Sequence, residues 1–169
     1  PEPTDPAFEA ANLEVTRCGR KHPEEIIQLI SHKDSMSWID SSGAHDNAVG
    51  TVANLEMARV LAMCDLQRSV RILFCNEEHV PWTSRFAAEA AAARGDRIIA
   101  VLNVDGLDGK SDEDRAAGKM THAIGYSTDE GRHLGELMAA CNTRHSIGLD
   151  VKVFFKHDVN DDDGMFIKA

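Results

Sequence analysis

The sequence predicts an α/β fold, a three-layer sandwich with a mainly parallel central sheet flanked by helices. Three observations carry this. Four short apolar runs have the length of buried strands. Segments with helical spacing separate them, as in strand–helix–strand units. The runs do not alternate apolar with polar residues, so both faces of the sheet should be covered.

The elements follow in order. Glu25–Ile30 (EIIQLI) is the first predicted strand. Asp46 to Cys64 then carries Val49, Val52, Ala53, Met57, Val60, Leu61 and Cys64 on one helical stripe, with the helix starting at Asp46. Ser69–Cys75 (SVRILFC) is the second strand. Thr83–Arg94 is an alanine-rich helix stopped by Gly95. Arg97–Val104 (RIIAVLNV) is the third strand. Leu107–Met120 is polar and charged and reads as a surface loop. Ser127–His145 opens with a capping box from Ser127 to Glu130 and continues as a helix with Leu134, Leu137, Met138 and Cys141 on its stripe. Asp150–Phe155 (DVKVFF) is the fourth strand, followed by an aspartate-rich tail.

The 169 residues show no repeat and no linker, so a single domain over 1–169 is expected. The net charge of −10 argues against nucleic-acid and anionic-membrane partners. No run has the roughly 20 apolar residues of a membrane span. The N-terminal PEPTDPAFEA has no basic, apolar leader character. Acidity by itself reads as solubility, although clustered carboxylates also suit cations. The four cysteines form no C-x-x-C pair. Cys64 and Cys75 lie in apolar patterns and are expected as buried thiols, with room for one disulfide among the four.

Sites in open α/β sheets form beyond the carboxyl ends of the strands. Every predicted strand end here delivers a carboxylate or an imidazole. The first is followed by His32 and Asp34, the second by Glu77, Glu78 and His79, the third by Asp105, and the fourth by His157 and Asp158. Asp46 opens the helix between the first two strands. Each has an ordinary explanation taken alone: a loop histidine, a helix cap, a solvated turn. Together, several carboxylates on one rim repel one another unless protons or cations intervene, and one His with three or four carboxylates suits zinc or a similar divalent ion.

The stretches HKDS, GAHDNAVG, NEEH and NVDG, in this order, resemble the H-x-D-S, G-A-D-D-N-A-S-G, E-E-G and N-L-D motifs of peptidase family 28 of the metallopeptidases. The resemblance runs from about Asn12 to Ala169. It implies a phosphorylase/hydrolase-like fold and a two-zinc exopeptidase, aminopeptidase-like, acting on a peptide or small amide. Carried over, it makes His32 a ligand of the first zinc, oriented by Asp34, and Asp46 the bridge between two zinc ions. Glu78 becomes a ligand of the second zinc, Asp105 completes the first, and Glu77 is the general base. Three departures stand out. His45 replaces the first Asp of D-D-N, His79 replaces the Gly after Glu-Glu, and the family's last ligand, a His, has no counterpart. His157 is the nearest substitute, and the domain is therefore expected to be C-terminally incomplete. A related di-zinc amidohydrolase, deacylase or carboxypeptidase, and a non-catalytic metal-binding domain, are the alternatives. Members of the family are often exported. Compartment, oligomeric state and side-chain preference stay open, including whether Trp82 lines the rim or packs on the following helix.

Overall fold

Strand Arg68–Cys75 is buried from Ser69 onward and lies inside a four-stranded sheet. The computed structural model describes residues 11–35, 41–107 and 110–169. The proline-bearing N-terminal stretch lies outside the described residues, as do two positions of the predicted loop after Leu107. The chain divides into two compact units, 1–108 with 160–169, and 109–159.

The first unit contains β1 (Leu13–Arg17), β2 (His22–His32), α1 (Val49–Leu61), β3 (Arg68–Cys75), α2 (Thr83–Arg94), β4 (Arg97–Asn103) and, from the end of the chain, a short terminal helix, Asp162–Lys168. Its sheet order is β1-β3-β2-β4. β2 runs parallel to both β3 and β4, and β1 adds an antiparallel edge. β2 therefore occupies an inner position, and the parallel pairs aim their carboxyl ends the same way.

Side chains alternate across a strand, so the inner strands feed two cores. Leu29, Val70, Ile72 and Phe74 pack with Met57, Ala58 and Leu61 of α1. Ile30, Leu73 and Cys75 pack on the other face with Ala87 of α2 and Phe166 of the terminal helix. Helix, sheet and helix make the three predicted layers within this unit. Gly95 closes α2 with φ 73°, a left-handed conformation that glycine adopts without strain.

The second unit contains α3 (Asp112–Ala116), β5 (Thr121–Tyr126), α4 (Asp129–Arg144) and β6 (Asp150–Phe155); the terminal helix is α5 in chain order. β5 and β6 pair in parallel, with α4 as their crossover. Gly135, the buried residue of α4, faces Val153 and Ile124.

Several expectations are corrected. The strand at Asp150–Phe155 joins β5 in a separate two-stranded sheet, because its partner lies just past the segment read as loop, in a stretch with no predicted element. That segment holds α3 and leads into β5. β1 was not foreseen, since LEVTR on an exposed edge lacks an apolar run. The helix predicted from Asp46 begins as regular α-helix only at Val49. The cap of α4 is Thr128, whose side chain accepts from the Gly131 N–H; Ser127 stands one residue too early. Cys64 is exposed, because α1 ends at Leu61 and leaves it in the following turn. Cys75 is buried, and all four cysteines are free thiols, so none is in a disulfide.

Candidate metal centre

His32 is the last residue of β2, and its position between β3 and β4 leaves it 2% exposed. The Thr51 hydroxyl donates to its carbonyl at 2.9 Å, and the Lys33 N–H donates to Cys75 O at 2.9 Å, so backbone pairing continues past the strand end. Its Nδ1 lies 3.2 Å from Asp34 Oδ1. With a carboxylate as acceptor, Nδ1 keeps its proton, and Nε2 is the nitrogen a metal ion would take, displacing the proton there.

Nε2 faces carboxylates from three other loops. Asp46 Oδ1 is 2.9 Å away, Asp105 Oδ1 3.4 Å and Glu78 Oε2 3.8 Å. None is placed for a well-formed ring N–H hydrogen bond, so this buried nitrogen has no hydrogen-bond partner. A buried polar atom without a partner is costly.

Asp46 sits in an irregular turn, Ala44–Ala48, where its backbone is extended (φ −123°, ψ 95°) and its peptide bond to Asn47 is cis. Regular α-helix starts three residues later, so the Asp46 carboxylate stands outside α1. Asn47 does the capping, its Oδ1 accepting from the Gly50 N–H at 3.0 Å. The same carboxamide donates to Val104 O at 2.9 Å, one residue before Asp105. A Cβ on Gly50 would meet Asn47 Oδ1 and Val104 O, each at 2.2 Å, so glycine permits this close approach. His45 is exposed, its ring 3.6 Å from where a Cβ on Gly106 would stand.

Glu77 and Glu78 lie on the turn from β3 to α2. Thr83, the first residue of α2, fixes that turn: its Oγ1 accepts from the N–H groups of Asn76 (3.0 Å) and Glu77 (2.9 Å). Asn12 clamps the same turn, accepting from Asn76 N–H at 3.0 Å and donating to Thr83 O at 2.7 Å. Sequence reasoning missed both positioning residues, since nothing local marks a threonine or asparagine as a turn clamp. His79 Nδ1 lies 3.5 Å from Glu78 Oε2, and its ring meets Trp82 edge-on at 5.9 Å between centroids. Trp82 is thus part of the turn beside Glu78.

Asp105 follows β4, held in place by Val104 N–H donating to Ile30 O at 2.9 Å. One further carboxylate arrives that the sequence did not single out. Asp161 caps α5 and accepts from Asn103 Nδ2 and from the Asp162 N–H, both at 2.8 Å. Among the described residues, His32, Asp46 and Glu78 form one cluster able to hold a metal ion, and Glu78, Asp105 and Asp161 another. A third, His22 with Glu24 and Glu25, lies at the opposite end of β2, where Glu25 is paired with Arg68 and Arg97. His157 belongs to none of these; it packs edge-on against Phe155.

The electrostatics match an acidic pocket around one imidazole. Burial disfavours the His32 imidazolium, but the surrounding carboxylates of Asp105, Asp34 and Glu78 outweigh it and push the pKa up to about 11. Burial pushes Glu78 up, helped by Asp105 and Asp46 and opposed by His32 and His79. Asp162, 0% exposed, is pushed up to about 7, chiefly by burial, with the nearby Ser84 hydroxyl pulling it down and Asp161 adding repulsion. An imidazole nitrogen without a partner, facing three carboxylates, is a donor set that fits a divalent metal ion such as zinc.

The sequence model of peptidase family M28 matches residues 12–169. A curated relative named "Probable zinc metalloprotease", from Pyricularia oryzae, is 29% identical over 147 residues, covering 82% of this chain and 28% of the relative. LapB from Legionella pneumophila has a similar structure, with a TM-score of 0.70 and 21% identity over 86% of this chain and 38% of that one. A glutaminyl cyclase from Macrostomum lignano also has a TM-score of 0.70, with 14% identity over 93% of this chain and 57% of that one. The chain thus spans well under two thirds of the length of these relatives.

Proposed function

Given that the chain belongs to peptidase family M28, we propose that it carries the zinc-dependent centre of an exopeptidase, aminopeptidase-like, built on two metal ions. The observation that carries this reading is the buried His32 Nε2, without a hydrogen-bond partner and within 3.8 Å of carboxylates from three loops. His32, Asp46 and Asp105 would hold one ion, and Glu78 with Asp46 the other. When bound, such ions supply Lewis-acid polarisation of a carbonyl and acidify a water molecule.

The protein's own groups do the rest. Asp34 holds the His32 ring in the tautomer that presents Nε2 to the pocket. Glu77, fixed through its backbone to Thr83, takes the proton from the attacking water and passes it to the leaving amine. Asn47 ties the Asp46 turn to the strand end that bears Asp105, which keeps the two carboxylates at a set spacing.

Glu77→Gln tests the assignment. Metal content should stay near that of the parent while hydrolysis of aminoacyl anilides falls by at least ~100-fold, the scale of a lost general base. Full turnover in that variant would overturn the role of Glu77. Substrate class is read from a panel of aminoacyl anilides, N-acyl and N-carbamoyl amino acids, and a peptide with N-terminal glutamine. The last is included because a similarly folded protein is a glutaminyl cyclase.

A further inference from the structure

We infer that His79 is a positioning residue for the metal centre: its ring, seated against Trp82, holds the Glu78 carboxylate in place for the ion that Glu78 binds. This role rests on the proposed function in taking Glu78 as a metal ligand. It employs a side chain at the position where the resembled E-E-G motif has none.

Three contacts place His79. Its Nδ1 lies 3.5 Å from Glu78 Oε2. Its ring meets the Trp82 indole edge-on, with 5.9 Å between centroids. Its carbonyl accepts the Trp82 N–H, while Glu77 O accepts the Thr83 N–H at 3.1 Å. The backbone of the turn is thus tied on both sides of Glu78, and a ring that swung away would give up the indole.

The chemistry of the pair gives it a direction. An ionised carboxylate only accepts, so the contact is attractive with the proton on Nδ1, the nitrogen turned toward Glu78. The two carboxylate oxygens offer about four acceptor sites, so lone pairs remain for an ion.

Glu78 has need of such a partner. Asp105 and Asp46 repel its charged form, and burial disfavours it further. The second imidazole beside Oε2 is that of His32, 3.8 Å away, and it presents Nε2, the nitrogen a metal ion would take. With that nitrogen committed to an ion, His79 is the ring that still carries a donor toward Glu78. The arrangement mirrors the one at His32, where the Asp34 carboxylate orients an imidazole ligand; here an imidazole orients a carboxylate ligand. The His79 side chain is 45% exposed, so water screens the pair and the effect belongs at the low end for an outer contact of a metal ligand.

The test titrates zinc into the metal-free chain by calorimetry, and the step that Glu78→Gln removes is the ion held by Glu78. His79→Phe keeps a ring against Trp82 and removes the donor. It should weaken that step about 10-fold and leave the other zinc step within ~2-fold. His79→Asn offers an amide N–H near the place of Nδ1 and should recover the parent affinity to within ~3-fold. Unchanged affinity in His79→Phe would overturn the role, and so would a loss in His79→Asn as large as that in His79→Phe. Equal weakening of both zinc steps would overturn it as well, since that marks general damage to the centre. A parent with both zinc steps intact that cleaves nothing in the substrate panel would sink the peptidase reading and leave the role of His79 standing.

Discussion

Strands β3 and β6 look alike as sequence and behave differently as structure. SVRILFC and DVKVFF are both short apolar runs, and each is followed by polar residues that include a histidine and carboxylates. β3 is hydrogen-bonded on both sides and buried from Ser69 to Cys75. β6 has one strand partner, and its residues alternate between exposed and half-buried until both phenylalanines are exposed. The end of β3 leads to Glu78, which faces His32; the end of β6 leads to His157, which packs on Phe155. An apolar run with polar residues after it is therefore no site. Membership of a sheet whose neighbouring strand ends also carry ligands is what brings them together.

The largest test of this contrast is in the two cores. Leu73 is 1% exposed, and Leu73→Ala should cost about 2–5 kcal/mol in denaturant unfolding. Val153 in β6 is half-buried, and Val153→Ala should cost less than half as much. Equal costs would mean that the two strands are equivalent after all.

Metal affinity gives the next effect. Asp34→Asn removes the anion that orients His32, and should weaken zinc binding about 10–100-fold by calorimetry. Asp158→Asn, at the end of β6, is the matched control and should leave affinity within ~2-fold, since Asp158 belongs to none of the candidate metal clusters. Comparable losses in both would erase the distinction between the strand ends.

The smallest effect concerns Asp162, whose folded pKa of about 7 lies above the ordinary aspartate value of 3.8. Between these values the folded, metal-free chain binds more protons than the unfolded one. Its contribution is fullest below pH ~4 and is lost as pH rises through ~7, by at most about 1.4 kcal/mol per pH unit. Asp162→Asn should flatten that part of the profile of unfolding free energy against pH. An unchanged slope would show that the buried carboxyl does not titrate in this range.

Much of the candidate site was legible because its residues sit at strand ends within short motifs. His32, Asp46, Glu78 and Asp105 could be placed on one rim from chain order alone. Asp161 could not. It belongs to an aspartate run that reads as solvated tail, and its position depends on α5 returning to β4 across nearly sixty residues of sequence, as the Asn103 contact shows. β1 was hidden because an exposed edge strand has no apolar run to announce it. Asp46 was read as a helix start because Asp is a common cap; the side chain that caps α1 is its neighbour Asn47. Pairing partners of β6 were illegible for a further reason: an apolar run states that a strand wants company and does not say whose.

The Asn47–Gly50–Val104 junction has an evolutionary corollary. One carboxamide reads the backbone of both loops, and the space it fills is the space a side chain at residue 50 would need. Neither position can vary alone without disturbing the other. In a randomised library they should be recovered as a covarying pair, with Asn47 and Gly50 retained together or replaced together, while neighbours such as the exposed Ala48 drift freely.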